Sequence, residues 1–207
     1  MSKSKKKRSV GKKVFIIVVL ILLIFLCDFI VGEEDEVDTY MIRREFYKNE
    51  EKYINEAEDL IKSRDYITFA VWYRERNGGN IDELERYRYF NNACSSYSNI
   101  YSYIVRMGNY DAMKNRSEEG LEIFCPGIAS SYEVILSYIE ISIEKGNEEN
   151  VKYLDAMYDC RDEAKALIAS AFSLSKEEID SLDDINEEEL TLLLEENMPY
   201  FTEDEEE

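Results

Sequence analysis

The chain has 207 residues, of which 45% are hydrophobic and 13% aromatic, so it can form one domain with a real core beside a membrane segment. It has only 8 Gly and 2 Pro, which favours long helices over a turn-rich β fold, and no histidine, which removes Ser-His-Asp, Cys-His and His-containing metal sites. Seven of the 25 basic residues precede residue 14, and one of the 45 acidic residues precedes residue 32. The part of the chain from residue 32 onward therefore has 18 basic and 44 acidic residues, a formal charge of −26. Such a charge disfavours nucleic-acid binding.

The first predicted elements are a basic stub and an apolar helix. Residues 1–13 contain seven basic and no acidic residues, and 17 of the 18 residues at 14–31 are apolar when Cys27 is counted. As a helix this run spans about 27 Å, close to the roughly 30 Å hydrocarbon thickness of a bilayer. Flanking Lys and Arg stay on the cytoplasmic side. We therefore expect a single-pass transmembrane helix at 14–31 in the cell membrane, with a cytoplasmic N-terminus and an extracytoplasmic C-terminal domain.

Two other processing routes were weighed for the same segment. A signal peptidase would find Ile30 and Gly32 at its −3 and −1 positions, although an apolar run of 18 residues exceeds the about 7–15 residues of a signal peptide. A lipoprotein signal would use Cys27, but the bulky Leu26 stands before it where a small residue is expected. We interpret the segment as a retained signal-anchor, followed by an acidic stalk at 32–46.

The part at 47–198 is predicted to be an all-α extracytoplasmic domain of about five main helices, arranged as a bundle or an array of helical hairpins. Helical spacing of apolar residues predicts a first helix over 33–62, which includes the stalk. The segment 65–73 is rich in β-branched and aromatic residues, but its aromatic residues share one helical face. We assign it as a helix that ends at the Asn-Gly-Gly-Asn of 77–80.

An aromatic stripe follows, in which large apolar residues repeat at steps of three and four. Its members are Leu84, Tyr87, Phe90, Cys94, Tyr97, Tyr101 and Ile104. The pattern is typical of a seam packed against a neighbouring helix, and the alternative is a stacking platform for a sugar or peptide. Because tyrosine is amphipathic, part of the stripe is expected to face water. Tyr97 and Tyr101 are therefore candidate partner-binding residues.

Two longer and two shorter helices are predicted in the remainder of the domain, before an acidic tail at 199–207. Pro126 suits a first helical turn, so 126–145 is assigned as a wide-faced and deeply buried helix, and 148–172 as an amphipathic one. Capping-box patterns at Ser175/Glu178 and Asn186/Glu189 predict short helices near 176–183 and 187–197.

The cysteines and acids show no recognisable metal or redox motif. Cys94, Cys125 and Cys160 are widely spaced, and Cys94 and Cys160 lie on apolar stretches that suit small hydrophobic side chains. One disulfide and one free thiol is compatible with an exterior domain, with any pairing open. The acids at 33–38 and 183–189 do not follow the EF-hand pattern. No catalytic residue, cofactor or metal site is predicted.

These features favour a non-enzymatic, membrane-anchored protein for protein–protein interaction or scaffolding. It would be held in the lipid bilayer by residues 14–31 and would bind a protein partner, basic if charge guides recognition. The alternative is an immunity- or inhibitor-type protein that neutralises a basic toxin or enzyme at the membrane. Glu148, Glu149, Glu187 and Glu188 stand at predicted helix starts, where acids are least committed to packing, and are further candidate contacts.

Overall fold

A computed structural model describes residues 38–79, 81–110, 123–146 and 151–198. Over these ranges the chain is helical and contains no β-strand, which confirms the all-α prediction. The basic stub, the apolar segment 14–31, the start of the stalk and the acidic tail lie outside the described ranges. Among the helices that are described, none has the length and apolar composition needed to span a membrane.

The described ranges contain eight α-helices and one 3₁₀ helix. In chain order they are α1 (38–48), α2 (Glu50–Lys62), α3 (Tyr66–Asn77), a 3₁₀ helix (Asp82–Tyr87), α4 (Arg88–Tyr110), α5 (Phe124–Lys145), α6 (Leu154–Phe172), α7 (Lys176–Ser181) and α8 (Glu187–Glu196). The helix predicted over 33–62 is interrupted at Asn49. The side-chain amide of Asn49 donates to the backbone carbonyl of Glu45 at 3.1 Å and to the Glu45 carboxylate at 2.7 Å.

The described residues belong to two compact units. One contains α1 together with residues 78–79, and a Cβ added at Gly78 would lie 3.5 Å from Cδ1 of Ile42. In α1, Phe46 is buried whereas Tyr40 is exposed. The other unit contains the remaining helices, and the candidate residues that are described all lie in it.

Helices α4 and α5 form the centre of the larger unit and run antiparallel. Near the start of α4, Tyr89 lies beside Tyr138 of α5, with ring centroids 6.0 Å apart. Near its end, Tyr103 meets Phe124 at the start of α5 at 6.4 Å. A Cβ at Gly127 would lie 2.6 Å from the Tyr103 ring, so any larger residue there would displace that ring. Helices α3 and α6 also pack on α4. Helix α5, which was predicted to be deeply buried, therefore shares the centre of the unit with α4.

One apolar stripe of the central helix α5, which was predicted to be deeply buried, has no more than 5% exposure at any position. Its members are Ile128, Tyr132, Ile135, Ile139 and Ser142. Val134, on the flank, is 37% exposed. The helix begins at Phe124, earlier than predicted, because Pro126 is tolerated throughout the first turn, where backbone amides have no intrahelical acceptor.

Both predicted capping boxes are present. Ser175 Oγ accepts from the Glu178 amide at 3.3 Å, and the Glu178 carboxylate accepts from the Ser175 amide at 2.6 Å. Asn186 and Glu189 make the same reciprocal pair at 3.0 and 3.1 Å. Each box satisfies two amides that the helix leaves unpaired, which fixes the starts of α7 and α8 at the predicted positions.

A tight turn separates α2 from α3. Arg64 adopts a left-handed conformation with φ of 58°, which ends α2. Asp65 then caps α3, since its Oδ1 accepts from the Thr68 amide at 3.1 Å. This cap explains why the β-branched and aromatic segment that follows is helical.

Candidate functional site

The aromatic stripe passes from the core to the surface along α4. Its first four members, Leu84, Tyr87, Phe90 and Cys94, are at most 1% exposed. Tyr97 is half-buried, and Tyr101 is 45% exposed. The packing interpretation is therefore correct for the first half of the stripe, and the two candidate tyrosines lie where the stripe reaches solvent.

Tyr97 packs against Tyr66, the first residue of α3. The two rings meet edge to face, with centroids 5.2 Å apart. Tyr66 is only 2% exposed, and its hydroxyl has no hydrogen-bond partner among the described residues. Burial, followed by the nearby carboxylate of Glu163, raises the pKa of both phenols. Both are therefore neutral hydroxyls at physiological pH.

Charged residues of α6 border these tyrosines. Arg64 pairs with Asp159 over 2.9 Å and with Glu163 over 3.8 Å. Asp159 and Glu163 are four residues apart, on one face of the helix. Glu163 and Tyr101 are both close enough to Tyr97 to raise the pKa of its phenol, after the larger effect of burial. We call Arg64, Tyr97, Tyr101, Asp159 and Glu163 the tyrosine–acid patch.

The tyrosine–acid patch combines aromatic faces with exchangeable ion pairs. The three charged side chains are 38–53% exposed, and ion pairs at such exposure contribute only about 0–1 kcal/mol to stability. A lysine or arginine from another molecule can therefore take the place of Arg64 at small cost. The neighbouring phenol rings offer such a cation a face for a cation–π contact.

A second polar cluster surrounds Glu58 of α2. Its Oε1 accepts hydrogen bonds from Tyr153 at 2.8 Å, from Lys152 at 3.3 Å and from Tyr87 at 3.3 Å. Burial raises the pKa of Glu58, but these donors outweigh it and hold the pKa below its ordinary value. The carboxylate is thus ionised and hydrogen-bonded through Oε1, and it ties α2 to the 3₁₀ helix and to the start of α6.

A third polar cluster surrounds Asp183, in the turn between α7 and α8. Its Oδ1 accepts from the buried Tyr132 at 2.5 Å, and its Oδ2 from Lys165 at 2.9 Å. Arg161 lies 3.8 Å from Oδ2. Burial raises the pKa of Asp183, but the hydrogen bonds and the two cations together lower it by more than burial raises it. The pKa of Asp183 is therefore below its ordinary value. This cluster joins the turn to α5 and α6.

The acids predicted as contacts are separated from the tyrosines by the fold. Glu187 and Glu188 are exposed in the first turn of α8, which packs on α5. Glu187 lies close enough to the Glu133 carboxyl of α5 to raise the pKa of Glu133. Glu148 and Glu149 lie outside the described residues. Across the described ranges, no three His, Cys, Asp or Glu side chains are grouped to hold a metal ion.

The two tyrosines of the patch are candidates named from the sequence, but its other members are not. Arg64 stands in a turn, and Asp159 and Glu163 look like ordinary acids on an amphipathic helix. The available signal was the spacing of Asp159 and Glu163 on one helical face. That spacing did not indicate which other helix the face borders.

The larger unit therefore presents two engaged carboxylate clusters and one exposed tyrosine–acid patch. Comparisons with protein-family models, with curated proteins and with solved structures found no significant match. The function is accordingly argued from the residues of this chain.

Proposed function

We propose that the chain is a membrane-anchored, non-enzymatic interaction or scaffolding protein, whose acidic helical domain binds a basic protein partner outside the cell. The apolar run at 14–31 and the seven basic residues before it support the anchor and the orientation. The excess of acid beyond residue 31 supports a basic partner, since complementary charge accelerates encounter and disfavours wrong partners.

The observation that carries this proposal is the tyrosine–acid patch. Tyrosine is enriched at protein interfaces because it combines a large apolar face with a hydroxyl that can remain hydrated. Tyr101 is 45% exposed, whereas Phe90 near the start of the same helix is in the core and Tyr97 between them is half-buried. Asp159 and Glu163, which border Tyr66 and Tyr97, are half-exposed and pair with Arg64. A basic segment of a partner would meet an aromatic surface and two carboxylates together.

The two other carboxylate clusters support binding over hydrolysis. Glu58 and Asp183 each accept hydrogen bonds from two or more internal donors, and both have lowered pKa values. A general acid needs a raised pKa, so that the carboxyl group keeps its proton near neutral pH. These two acids therefore have the environment of structural ion pairs.

The test is capture of a partner by full-length protein in detergent, using matched surface variants. Tyr101→Ser alters the patch, whereas Leu192→Ser alters an exposed residue of α8 that is 53% exposed. We expect one basic protein, identified by mass spectrometry, to bind wild type and Leu192→Ser but not Tyr101→Ser. The purified partner should reproduce this order in a direct titration. Equal binding to all three proteins would exclude the patch.

The same purified partner separates the two functional classes. A toxin or enzyme that loses its activity when bound would assign the inhibitor-type function. A partner whose activity is unchanged would assign the scaffolding function.

A further inference from the structure

Cys94 of α4 and Cys160 of α6 lie on two helices that pack against each other inside the larger unit. Neither side chain has any exposed surface. Burial raises the pKa of the Cys94 thiol, and the neighbouring Cys160 thiol raises it further, so the two sulfurs are close together. Cys94, Cys125 and Cys160 are all free thiols in this structure. Their separation along the chain is large, so the contact depends on the packing of α6 on α4.

The neighbouring residues show that this juxtaposition follows from the run of the two helices. Phe90, one turn before Cys94, lies 6.3 Å from Tyr153 at the start of α6, measured between ring centroids. Further along both helices, Glu163 lies close enough to Tyr97 to raise the pKa of its phenol, after burial. Helices α4 and α6 are therefore parallel, and the cysteines lie between these two contacts.

Small side chains, which would allow a close approach of the helices, lie beside both cysteines. Ala93 precedes Cys94, Ala164 follows Cys160 by one turn, and both alanines are completely buried. The distance between packed helices decreases with the size of the side chains at the contact. A close approach brings the two Cβ atoms towards the separation that a disulfide requires.

We propose that Cys94 and Cys160 form an intramolecular disulfide across α4 and α6 when the domain folds outside the cell, and that Cys125 stays a free thiol. The exterior setting rests on the proposed function, since disulfides persist in oxidising compartments. The oxidant is a protein or small-molecule disulfide. The two thiols give up two protons and two electrons, one sulfur–sulfur bond forms, and the oxidant's disulfide becomes two thiols.

Cys125 lies on a different side of the core. It is 1% exposed in the first turn of α5, and Glu195 of α8 is the charge near it. Burial, with a smaller effect of Glu195, raises its pKa to about 12, so it has little reactive thiolate at neutral pH. It therefore provides a matched internal control for the proposed pair.

Burial determines when the bond forms. Once the core is closed, the oxidant cannot reach either sulfur, so exchange takes place while the chain folds. The closed core then shields the finished bond from reductants. The disulfide would join two helices whose cysteines enclose a long loop, the arrangement in which a cross-link most restricts the unfolded chain.

The first arm of the test examines full-length protein from cells. Thiols are blocked at lysis with iodoacetamide, and the unreduced protein is digested for mass spectrometry. We expect a linked peptide pair containing Cys94 and Cys160, lighter by two hydrogen atoms than the reduced pair, and an alkylated Cys125. Cys125→Ser should retain the link and Cys160→Ser should lose it. Reductant reaches the buried bond only as the chain unfolds, so melting in its presence should lower the melting temperature of wild type by roughly 5–15 °C.

The second arm refolds purified full-length protein in detergent with reduced and oxidised glutathione, where cellular location has no influence. If the Cys94–Cys160 link formed on refolding but was absent from the protein taken from cells, the proposed pairing would stand and the proposed location outside the cell would be wrong. A link that involves Cys125, or three alkylated thiols in both arms, would overturn the proposed pair.

Discussion

Tyr132 donates its hydroxyl to Oδ1 of Asp183 over 2.5 Å, which joins the central helix α5 to the turn between α7 and α8. Both partners lie in a polar cluster that also contains Lys165. Tyr66 is equally inaccessible, yet its hydroxyl has no partner among the described residues. The two phenols are thus similarly buried, but only the hydroxyl of Tyr132 is hydrogen-bonded among the described residues. Removing the two hydroxyls should therefore change the stability of the protein in opposite directions.

Tyr132→Phe should destabilise the protein by about 2 kcal/mol, because it removes a hydrogen bond to a carboxylate and leaves part of that carboxylate unsatisfied. Tyr66→Phe should stabilise by about 1 kcal/mol, because it removes a buried hydroxyl that gains nothing on folding. Urea unfolding followed by circular dichroism measures both. If Tyr132→Phe stabilised the protein and Tyr66→Phe destabilised it, the roles assigned to the two hydroxyls would be wrong.

The exposed end of the aromatic stripe predicts a separation between stability and binding. Tyr97→Ala should cost about 2 kcal/mol, less than for a fully buried aromatic residue, since it removes the edge-to-face contact with Tyr66 and half-buried area. Tyr101→Ala should change stability by under about 0.5 kcal/mol, as expected for a surface substitution. Melting curves of the two variants give the comparison. A large loss for Tyr101→Ala would show that the patch is covered within the chain.

Local patterns predicted much of the fold, because the interactions behind them are local. The capping boxes at Ser175 and Asn186 involve residues three apart, and the buried face of α5 follows from helical period alone. The patch could not be predicted in the same way. Arg64 and Asp159 are brought together only by the packing of distant helices, and the same is true of Cys94 and Cys160.

The lowered pKa of Glu58 predicts a defined acid dependence of stability. A carboxylate with a lowered folded pKa contributes stability above its unfolded value, and this contribution disappears as pH falls through the folded pKa. The wild type should therefore be more stable than Glu58→Gln by a constant margin above pH 4.5, the ordinary pKa of glutamate. This margin in stability should shrink as the pH falls below that value. Melting temperatures between neutral and acidic pH measure this margin.

Glu51→Gln is the matched control, because Glu51 is exposed on the same helix α2. Relief of repulsion within the acidic domain at low pH affects all three proteins and cancels in the differences. A margin for Glu58→Gln that grows on acidification would contradict an ionised, hydrogen-bonded Glu58.

The apolar run at 14–31 predicts a single orientation in the membrane. Seven basic residues precede it, and five of the seven residues at 32–38 are acidic. A reporter that is active only outside the cytoplasm should therefore work when fused to the C-terminus. Activity solely of a cytoplasmic reporter would reverse the assignment. Mass spectrometry of the membrane-extracted protein should find an intact N-terminus, and a new terminus after Gly32 would instead demonstrate cleavage.

The acidic charge predicts how the rate of partner binding depends on salt. With a formal charge of −26 beyond residue 31, attraction to a basic protein should act at long range, and it is screened over about 8 Å at physiological ionic strength. The association rate should fall roughly tenfold between low and physiological salt, while dissociation changes much less. Stopped-flow mixing with the purified partner measures both rates.

Two pairs of substitutions separate steering from contact in the same measurement. Glu187→Gln with Glu188→Gln removes exposed charge at the start of α8, so association should slow while dissociation and melting temperature stay unchanged. Asp159→Asn with Glu163→Gln removes charge inside the tyrosine–acid patch, so association should slow and dissociation should accelerate. If neither pair changes association and the rate is independent of salt, the partner binds through apolar contacts and the acidic surface serves solubility.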